Sequence, residues 1–297
     1  MNSISVLTPS RGYGRFIADA IESAKQQVGV TVQHVVQDAG SDDGTLDILR
    51  SYGDAVDWTS EPDSGQSDAL NRALGRASGD WIAWLNADEF YLPRGLRMLF
   101  DAGEEHAADV VFGDCVTVDG EGRLIALRPQ HRFSRTILRL YGPFLASVSV
   151  LIRRSSLLNV PWDPSLIQVM DWDAYLALAS RGASFRHVAY PVGAFRLHAD
   201  QASTRTKHVR RETAEVRTRY GISSGPWAQR AGPALHRLAK LAAGSYVRQA
   251  RAAALRGRDL RWFDGREGAE TFRLLIDRCY ATGADRRRRS TDPSERT

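Results

Sequence analysis

The sequence predicts an α/β domain built on a mostly parallel sheet. Through the first 115 residues, short apolar runs of β type alternate with segments of helical spacing, and polar residues stand where the strand-like runs end. Alternation of this kind threads helices between parallel strands. Ligands of such sheets lie beyond the C-terminal ends of the strands.

Each element has its own signal. Residues 4–8 form a first β-type run, ended by Pro9. Residues 16–27 carry Phe16, Ile17, Ala20, Ile21 and Ala24 on one helical stripe. Residues 30–37 are β-branched and bounded by Gly29 and by an Asp/Gly-rich loop. Residues 45–51 read as helix and 56–59 as a short strand. Residues 67–77 are helical and Gly79 stops them. Residues 81–85 are strand, 92–102 helix and 109–112 strand again. The expected strand ends then present Thr8, Asp38, Asp88 and Asp114 to one edge.

The second half is less regular. Residues 147–153 read as strand, 171–181 as a helix opening on Asp171 and Asp173, and 187–195 as strand. Residues 206–220 and 227–256 have helical spacing, the latter with breaks expected at Gly232, Pro233 and Gly244. The tryptophans at 58, 81, 84, 162 and 172 are expected in the core. Residues 284–297 are polar, and no fold is expected of them.

Composition is that of an ordinary soluble globular protein, with 43% apolar and 25% charged residues. No apolar run approaches the roughly 18 residues of a membrane span. The opening MNSISVLTPSRG lacks a basic leader and an apolar core, so no secretory signal is expected. Cys115 and Cys279 show no metal-ligand spacing and make no disulfide framework. A cytoplasmic setting is the expectation. The net charge of +5 is unevenly spread: residues 204–262 hold 14 Lys or Arg against 3 Asp or Glu, so the remainder is acidic. Such a segment can lie on an anionic membrane surface, bind nucleic acid or form a solvated helical face.

Four motifs carry the chemistry. They are Thr8-Pro-Ser-Arg-Gly12, Asp38-Ala-Gly-Ser-Asp-Asp-Gly-Thr45, Gly65-Gln-Ser-Asp-Ala-Leu-Asn71 and Ala77-Ser-Gly-Asp-Trp-Ile-Ala-Trp-Leu-Asn-Ala-Asp-Glu89. A carboxylate ending a buried strand is costly without a partner, and a metal ion is one such partner. Asp38 can accept from a base or ribose, and Asp43 or Thr45 can cap the next helix.

In order and spacing these motifs resemble the family 2 inverting glycosyltransferases with the GT-A fold. The resemblance continues through Gly113-Asp114, Asp171-Trp-Asp-Ala-Tyr-Leu-Ala-Leu178 and Phe195-Arg-Leu-His-Ala-Asp-Gln-Ala-Ser203 and covers about residues 3–220. It implies a Rossmann-like nucleotide-diphospho-sugar transferase domain at 1–220, with a donor-nucleotide half to about 115 and an acceptor half after it. A basic helical extension then spans 221–283.

The resemblance also implies roles. Thr8 and Pro9 would lie beneath the nucleotide base, Asp38 would meet base or ribose, and Asp68 would sit near the ribose or sugar. Asn86-Ala87-Asp88 stands at the family's DxD motif, with Asn86 replacing its first acid and turned to ribose or sugar hydroxyls. Asp88 and His198 would hold a divalent ion, Mn²⁺ or Mg²⁺, against the diphosphate. Asp171 would be the catalytic base, with Asp173 in reserve. Asp68 can instead be read as an ion pair with Arg72 one turn on, and Arg196 as touching the diphosphate or bridging surface acids. The implied partners are a nucleotide-sugar donor, UDP foremost, and a carbohydrate, lipid-linked or small-molecule hydroxyl acceptor, with peripheral contact to an anionic membrane and no nucleic acid. Two rivals are a noncatalytic nucleotide-sugar-binding protein, favoured by Asn86, and a nucleic-acid-binding protein using the basic segment. A nucleotidyltransferase would want a better phosphate loop than Arg11-Gly-Tyr-Gly-Arg15.

Overall fold

A computed structural model describes residues 3–199, 201 and 208–280. The expected tail at 284–297 lies outside the described residues. The strands β1 (Ser3–Ser10), β2 (Thr31–Asp38), β3 (Asp57–Ser60) and β4 (Trp81–Trp84) alternate with α1 (Ile17–Lys25), α2 (Thr45–Ser51) and α3 (Gln66–Arg76). A two-residue β5 (Phe90–Tyr91), α4 (Gly95–Glu105), β6 (Val110–Val118) and β7 (Leu124–Arg128) follow. Next come α5 (Arg135–Leu140), β8 (Val150–Arg153), α6 (Arg154–Leu157), α7 (Met170–Ser180) and β9 (Phe185–Arg196). Four helices close the described chain: α8 (Val209–Arg219), α9 (Pro226–Ala242), α10 (Ser245–Ala252) and α11 (Arg266–Cys279).

The strands form one mixed sheet in the order β3-β2-β1-β4-β8-β6-β9-β5, with β7 added to β6. β1 to β4 run parallel, and β8 is antiparallel to both its neighbours, so β6 points the same way as β4. β9 is parallel to β6. Ser10, Asp38, Ser60, Trp84 and Arg196 therefore end on one edge. Alternating side chains cover both faces. Leu7, Ile82, Phe112 and Ile152 pack against α3, α5 and α7, while Val6, Trp81, Val111 and Leu151 pack against α1 and α4. A third cluster closes α10 and α11 over β6 and β7, through Val116, Leu127, Phe272 and Leu275.

Several boundaries differ from expectation, each for a physical reason. β1 continues through Pro9 because its ladder with β4 ends at Leu7, so the missing N–H interrupts nothing on that side. β6 runs on through Asp114, which is therefore a buried mid-strand residue and not a strand end. Its carboxylate accepts from the Gln130 amide, the Tyr280 hydroxyl and the His187 ring, with Arg248 at 3.6 Å. Asp114 thus ties the C-terminal helices to the sheet, and the converging edge lacks the fourth polar strand end expected of it. The helix expected at 92–102 begins only at Gly95, after Pro93 and a left-handed Arg94. The strand expected at 147–153 opens instead with a single helical turn at Ser147–Ser149. Trp58 is only partly buried, whereas the other four tryptophans expected in the core are there.

α9 runs unbroken through Gly232 and Pro233, and only Gly244, left-handed at φ 66°, ends the expected long helix. The glycine has a reason: a Cβ at 232 would lie 2.4 Å from the Leu140 carbonyl oxygen, so only glycine lets α9 seat on the end of α5. Gly232→Ala is expected to lower stability. Overpacking against backbone costs about 1–3 kcal/mol, which exceeds the gain of at most about 1 kcal/mol from helix propensity. Urea unfolding followed by circular dichroism would read the shift, and an unchanged or raised midpoint would contradict this packing.

Candidate active site

The strand ends are built by loops that fold back on their own polar side chains. Asp38 is fully buried, and its carboxylate accepts from the Gly40 and Ser41 amides at 2.9 Å, the Ser41 hydroxyl at 2.5 Å and the Ser60 hydroxyl at 2.7 Å. It organises the turn after β2 and clamps it to β3, and its oxygens do not face solvent. Thr8 is also fully buried, with its hydroxyl 2.8 Å from His34 Nε2, so the hydroxyl contact expected of it is engaged inside the sheet. Burial alone lowers the His34 ring to about 4, which keeps that partner neutral. Pro9 is buried beside Gln37. Asp43 accepts from Thr45 at the start of α2 and from the Gly14 amide, joining the loops after β1 and β2.

Asp68 makes the ion pair that was its alternative role. Its two oxygens take Arg72 Nε at 3.1 Å and Nη2 at 2.9 Å, and one also takes the Ser64 amide. The Ser64 amide and Arg72 hold this carboxyl below its usual range.

The loop after β4 is the centre of the edge. Asn86 Oδ1 accepts from Gln66 Nε2 at 2.6 Å and Trp84 Nε1 at 2.8 Å, which leaves its NH₂ as the group without a hydrogen bond among the described residues. Ala87 is buried among Ile17, Ile21 and Leu49, so only its backbone is available. Asp88 Oδ2 lies 2.9 Å from His198 Nε2, and the His198 ring packs 4.7 Å from the Phe16 ring. Glu89 is buried, and burial together with its neighbour Asp88 raises its carboxyl well above the usual range. Its Oε2 accepts from the Asn86 amide, which fixes the turn after β4.

Arg196 holds this loop from behind. Its guanidinium donates to the Asp88 carbonyl at 2.8 Å, the Gly120 carbonyl at 2.7 Å and Asp19 at 2.5 Å, and it lies between the Phe16 and Phe90 rings. It is 2% exposed. Both readings made from the sequence, a diphosphate contact and a surface bridge, give way to a buried brace. The pairing was not legible because Asp19 and Gly120 are far from Arg196 in the chain.

α7 reaches the same edge through α3. Gln66 bonds Asn86, while its neighbour Ser67 donates to the Leu166 carbonyl and touches Met170 Sδ at 3.0 Å. α3 thus links the first turn of α7 to the loop after β4, and burial, with Asp171 and Glu89 nearby, raises the Tyr175 hydroxyl. Asp171 is partly exposed, and no cation among the described residues pairs with it. Burial lifts its carboxyl to about 6, against hydrogen bonds from its own and the Trp172 amides. Asp173 faces elsewhere. Its carboxylate takes Arg219 Nη1 at 2.9 Å, and burial raises it only partly offset by that arginine. The structure therefore groups Asp88 with His198 beside Asn86, with α3 linking the loop after β4 to the first turn of α7. It keeps Asp38, Thr8 and Asp68 as braces of the surrounding loops.

Asp88 and His198 form a donor pair of the kind a divalent ion takes. Two neighbouring ligands of an octahedral ion at 2.0–2.1 Å lie about 3 Å apart, and the 2.9 Å between Asp88 Oδ2 and His198 Nε2 matches that spacing. No cluster of three or more side-chain ligands occurs among the described residues. An ion here would take its remaining oxygens from phosphate and water, as Mg²⁺-type sites do. The pair fits on those terms.

A doubly covered mixed sheet with its polar groups gathered at one strand edge defines the class: this is the GT-A glycosyltransferase fold. The sequence model described as Glycosyl transferase family 2 matches residues 5–158, and the protein belongs to that family. Among solved structures, Staphylococcus aureus TarS residues 1–349 with UDP-GlcNAc superposes with a TM-score of 0.60 at 19% identity, covering 74% of this chain and 66% of that one. A mannosyltransferase of Pyrobaculum calidifontis with GDP-Man and Mn²⁺ gives 0.55 at 17%, over 92% and 86% of the two chains. At such identities the likeness shows the fold. A curated relative, an uncharacterised glycosyltransferase of Rickettsia typhi, is 24% identical over 58% of this chain and 57% of its own. A PGL/p-HBAD biosynthesis glycosyltransferase of Mycobacterium bovis is 28% identical over 38% and 46%. The chain spans about half the length of the curated relatives it matches.

Proposed function

We propose that the protein transfers a sugar, with inversion, from a nucleoside-diphosphate sugar to an acceptor hydroxyl, and that Asp171 is the base. One observation carries this reading: the Asp171 carboxyl has no cationic partner among the described residues, is lifted to about 6 by burial, and is joined through α3 to the loop that bears Asp88. Asp173 and Asp68 are ion-paired to arginines, and Asp38 takes four hydrogen bonds from its own turn and Ser60. An unpaired carboxyl raised toward neutrality suits proton abstraction near pH 7. Asp171 takes the acceptor proton as the hydroxyl oxygen attacks the anomeric carbon from the side opposite the diphosphate. Asp88 and His198 would hold a divalent ion, Mn²⁺ or Mg²⁺, which supplies Lewis-acid neutralisation of the departing diphosphate. The Asn86 NH₂, which makes no hydrogen bond among the described residues, would donate to a ribose or sugar hydroxyl. Asp38, Thr8, Pro9 and Ala87 contribute by shaping the loops and offering backbone groups to the nucleotide. UDP is the first nucleotide to test, in keeping with the TarS complex, and GDP the second. Acceptors of the glycan, lipid-linked or small-molecule class are all compatible with an open edge.

The test is a panel of UDP-, GDP- and dTDP-sugars, read by Mn²⁺-dependent thermal shift and by release of nucleoside diphosphate. Stabilisation by one donor with Mn²⁺, and turnover, are expected. Asp88→Asn is expected to raise the Mn²⁺ midpoint of that shift at least about tenfold, since it removes the charged member of the pair. Absence of both stabilisation and turnover across the panel would overturn the reading. Stabilisation with no turnover toward water or any acceptor would favour a noncatalytic binder.

A further inference from the structure

We propose that the outer face of α9 docks the protein on an anionic lipid bilayer, lying in the interface without crossing it. α9 is seated by one side only. Ala228 and Gly232 are buried, and Gly232 rests on the Leu140 backbone. Turned away from that contact, Trp227, Ala231, Ala234, Leu238 and Leu241 follow one another at spacings of four, three, four and three, which is a single helical stripe. Trp227, Leu238 and Leu241 are 62%, 62% and 65% exposed, and Val247 on α10 is 54% exposed. Scattered exposed leucines need no explanation, but a row of them on one helix marks an interaction surface.

Charge decides the occupant. Arg230 and Arg237, seven residues apart, run along one flank of the stripe, and residues 204–262 as a whole carry 14 basic against 3 acidic side chains. An apolar stripe holding Trp and Leu beside a basic flank is the composition of helices that lie in a bilayer interface. A second copy of so basic a surface would repel the first. Nucleic acid would match the arginines but has no use for the leucines. Residues 202–207 and 281–297, outside the described set, contain no large apolar side chain that could cover the stripe. No helix of the described residues is long and apolar enough to cross a membrane. This surface is independent of the transfer chemistry at the strand edge.

The experiment is cosedimentation of the whole protein with vesicles of phosphatidylcholine alone or mixed with phosphatidylglycerol. Binding is expected to the mixed vesicles and to weaken with added salt. Leu238→Ser with Leu241→Ser, and separately Arg230→Glu with Arg237→Glu, are each expected to lower the partition coefficient roughly tenfold or more. All four side chains are exposed, so unchanged melting temperatures would show that both variants still fold. No binding to mixed vesicles would overturn the proposal, and so would binding indifferent to the leucines, which a merely electrostatic contact or nucleic-acid surface would give. A concentration-dependent dimer dissolved by the leucine changes would assign the face to a second copy instead. Donor turnover without vesicles is expected to persist in every variant. Its loss in the wild type would therefore count against the transfer reading and leave the docking face standing.

Discussion

Asp171→Asn is expected to cut sugar transfer by about 10²–10⁴-fold, the usual weight of a positioned general base, while making the protein more stable at neutral pH. Asparagine keeps the shape and loses the proton acceptor. The stability gain follows from the direction of the shift. Burial raises the native carboxyl to about 6, whereas the unfolded chain holds its proton only to about 3.9. The native state therefore binds more protons between those values, and wild-type stability falls as pH rises through that window. Below pH 4 both states are protonated and nothing is lost. Above pH 6 the full penalty applies, on the order of 2–3 kcal/mol. Asparagine removes it, so the two proteins should have nearly equal urea midpoints at pH 4 and the variant should lead at pH 8. In parallel, wild-type kcat/KM should fall tenfold per pH unit below about 6 as the base is protonated. Retained turnover in the asparagine protein would remove Asp171 from the reaction. A stability gain that is the same at pH 4 and pH 8 would show that its carboxyl does not titrate in the way this burial implies.

The parallel half of the sheet was legible because its elements are local. α2 falls on residues 45–51 as its spacing predicts, and β2, β3, α3 and β4 lie within a residue or two of theirs. The second half is held by contacts across long sequence separations, and there local pattern fails. Asp114 looks like a strand end when read alone. It is mid-strand because His187, Tyr280 and Gln130 supply its hydrogen bonds from afar. β7 has no identity apart from its pairing with β6. α11 lies within the helical extension expected at 221–283, and Gly268, Thr271, Phe272, Leu275 and Cys279 recur along it at helical spacing. At the site, sequence could name Asp88, His198 and Asp171 as acids and base of interest. It could not tell that Asp38 was already engaged, because the donors that engage Asp38 include Ser60; for Asp68 it did offer the pair with Arg72, and missed only the amide set by the turn at Ser64. Motif position identifies a residue's place in the chain, and only the hydrogen bonds show which lone pairs are left.

Arg196→Met is expected to destabilise the protein by about 3–5 kcal/mol, the cost of breaking a buried charge pair from one side. Three acceptors depend on this guanidinium: Asp19 and the carbonyls of Asp88 and Gly120. Burial already pushes the Asp19 carboxyl up in spite of the arginine, which says that the pair sits where charge is expensive. Methionine would fill much of the volume between Phe16 and Phe90 yet leave Asp19 partly buried without its cation. Adding Asp19→Leu should recover part of the loss, because no uncompensated charge then remains. Recovery should be incomplete, since the two carbonyls are still unmatched, each costing about 1–3 kcal/mol when buried. Urea unfolding of the two single variants and the double variant closes the cycle, and a coupling of about 0.5–3 kcal/mol between positions 19 and 196 is expected. Additive effects would mean that the ion pair contributes nothing of its own. Loss of the brace also frees the Asp88 backbone, so in the folded fraction of Arg196→Met the Mn²⁺ midpoint should rise while donor binding without metal changes less. An unaltered Mn²⁺ midpoint in that protein would show that the loop after β4 keeps its shape without Arg196, and would confine the arginine to stability alone.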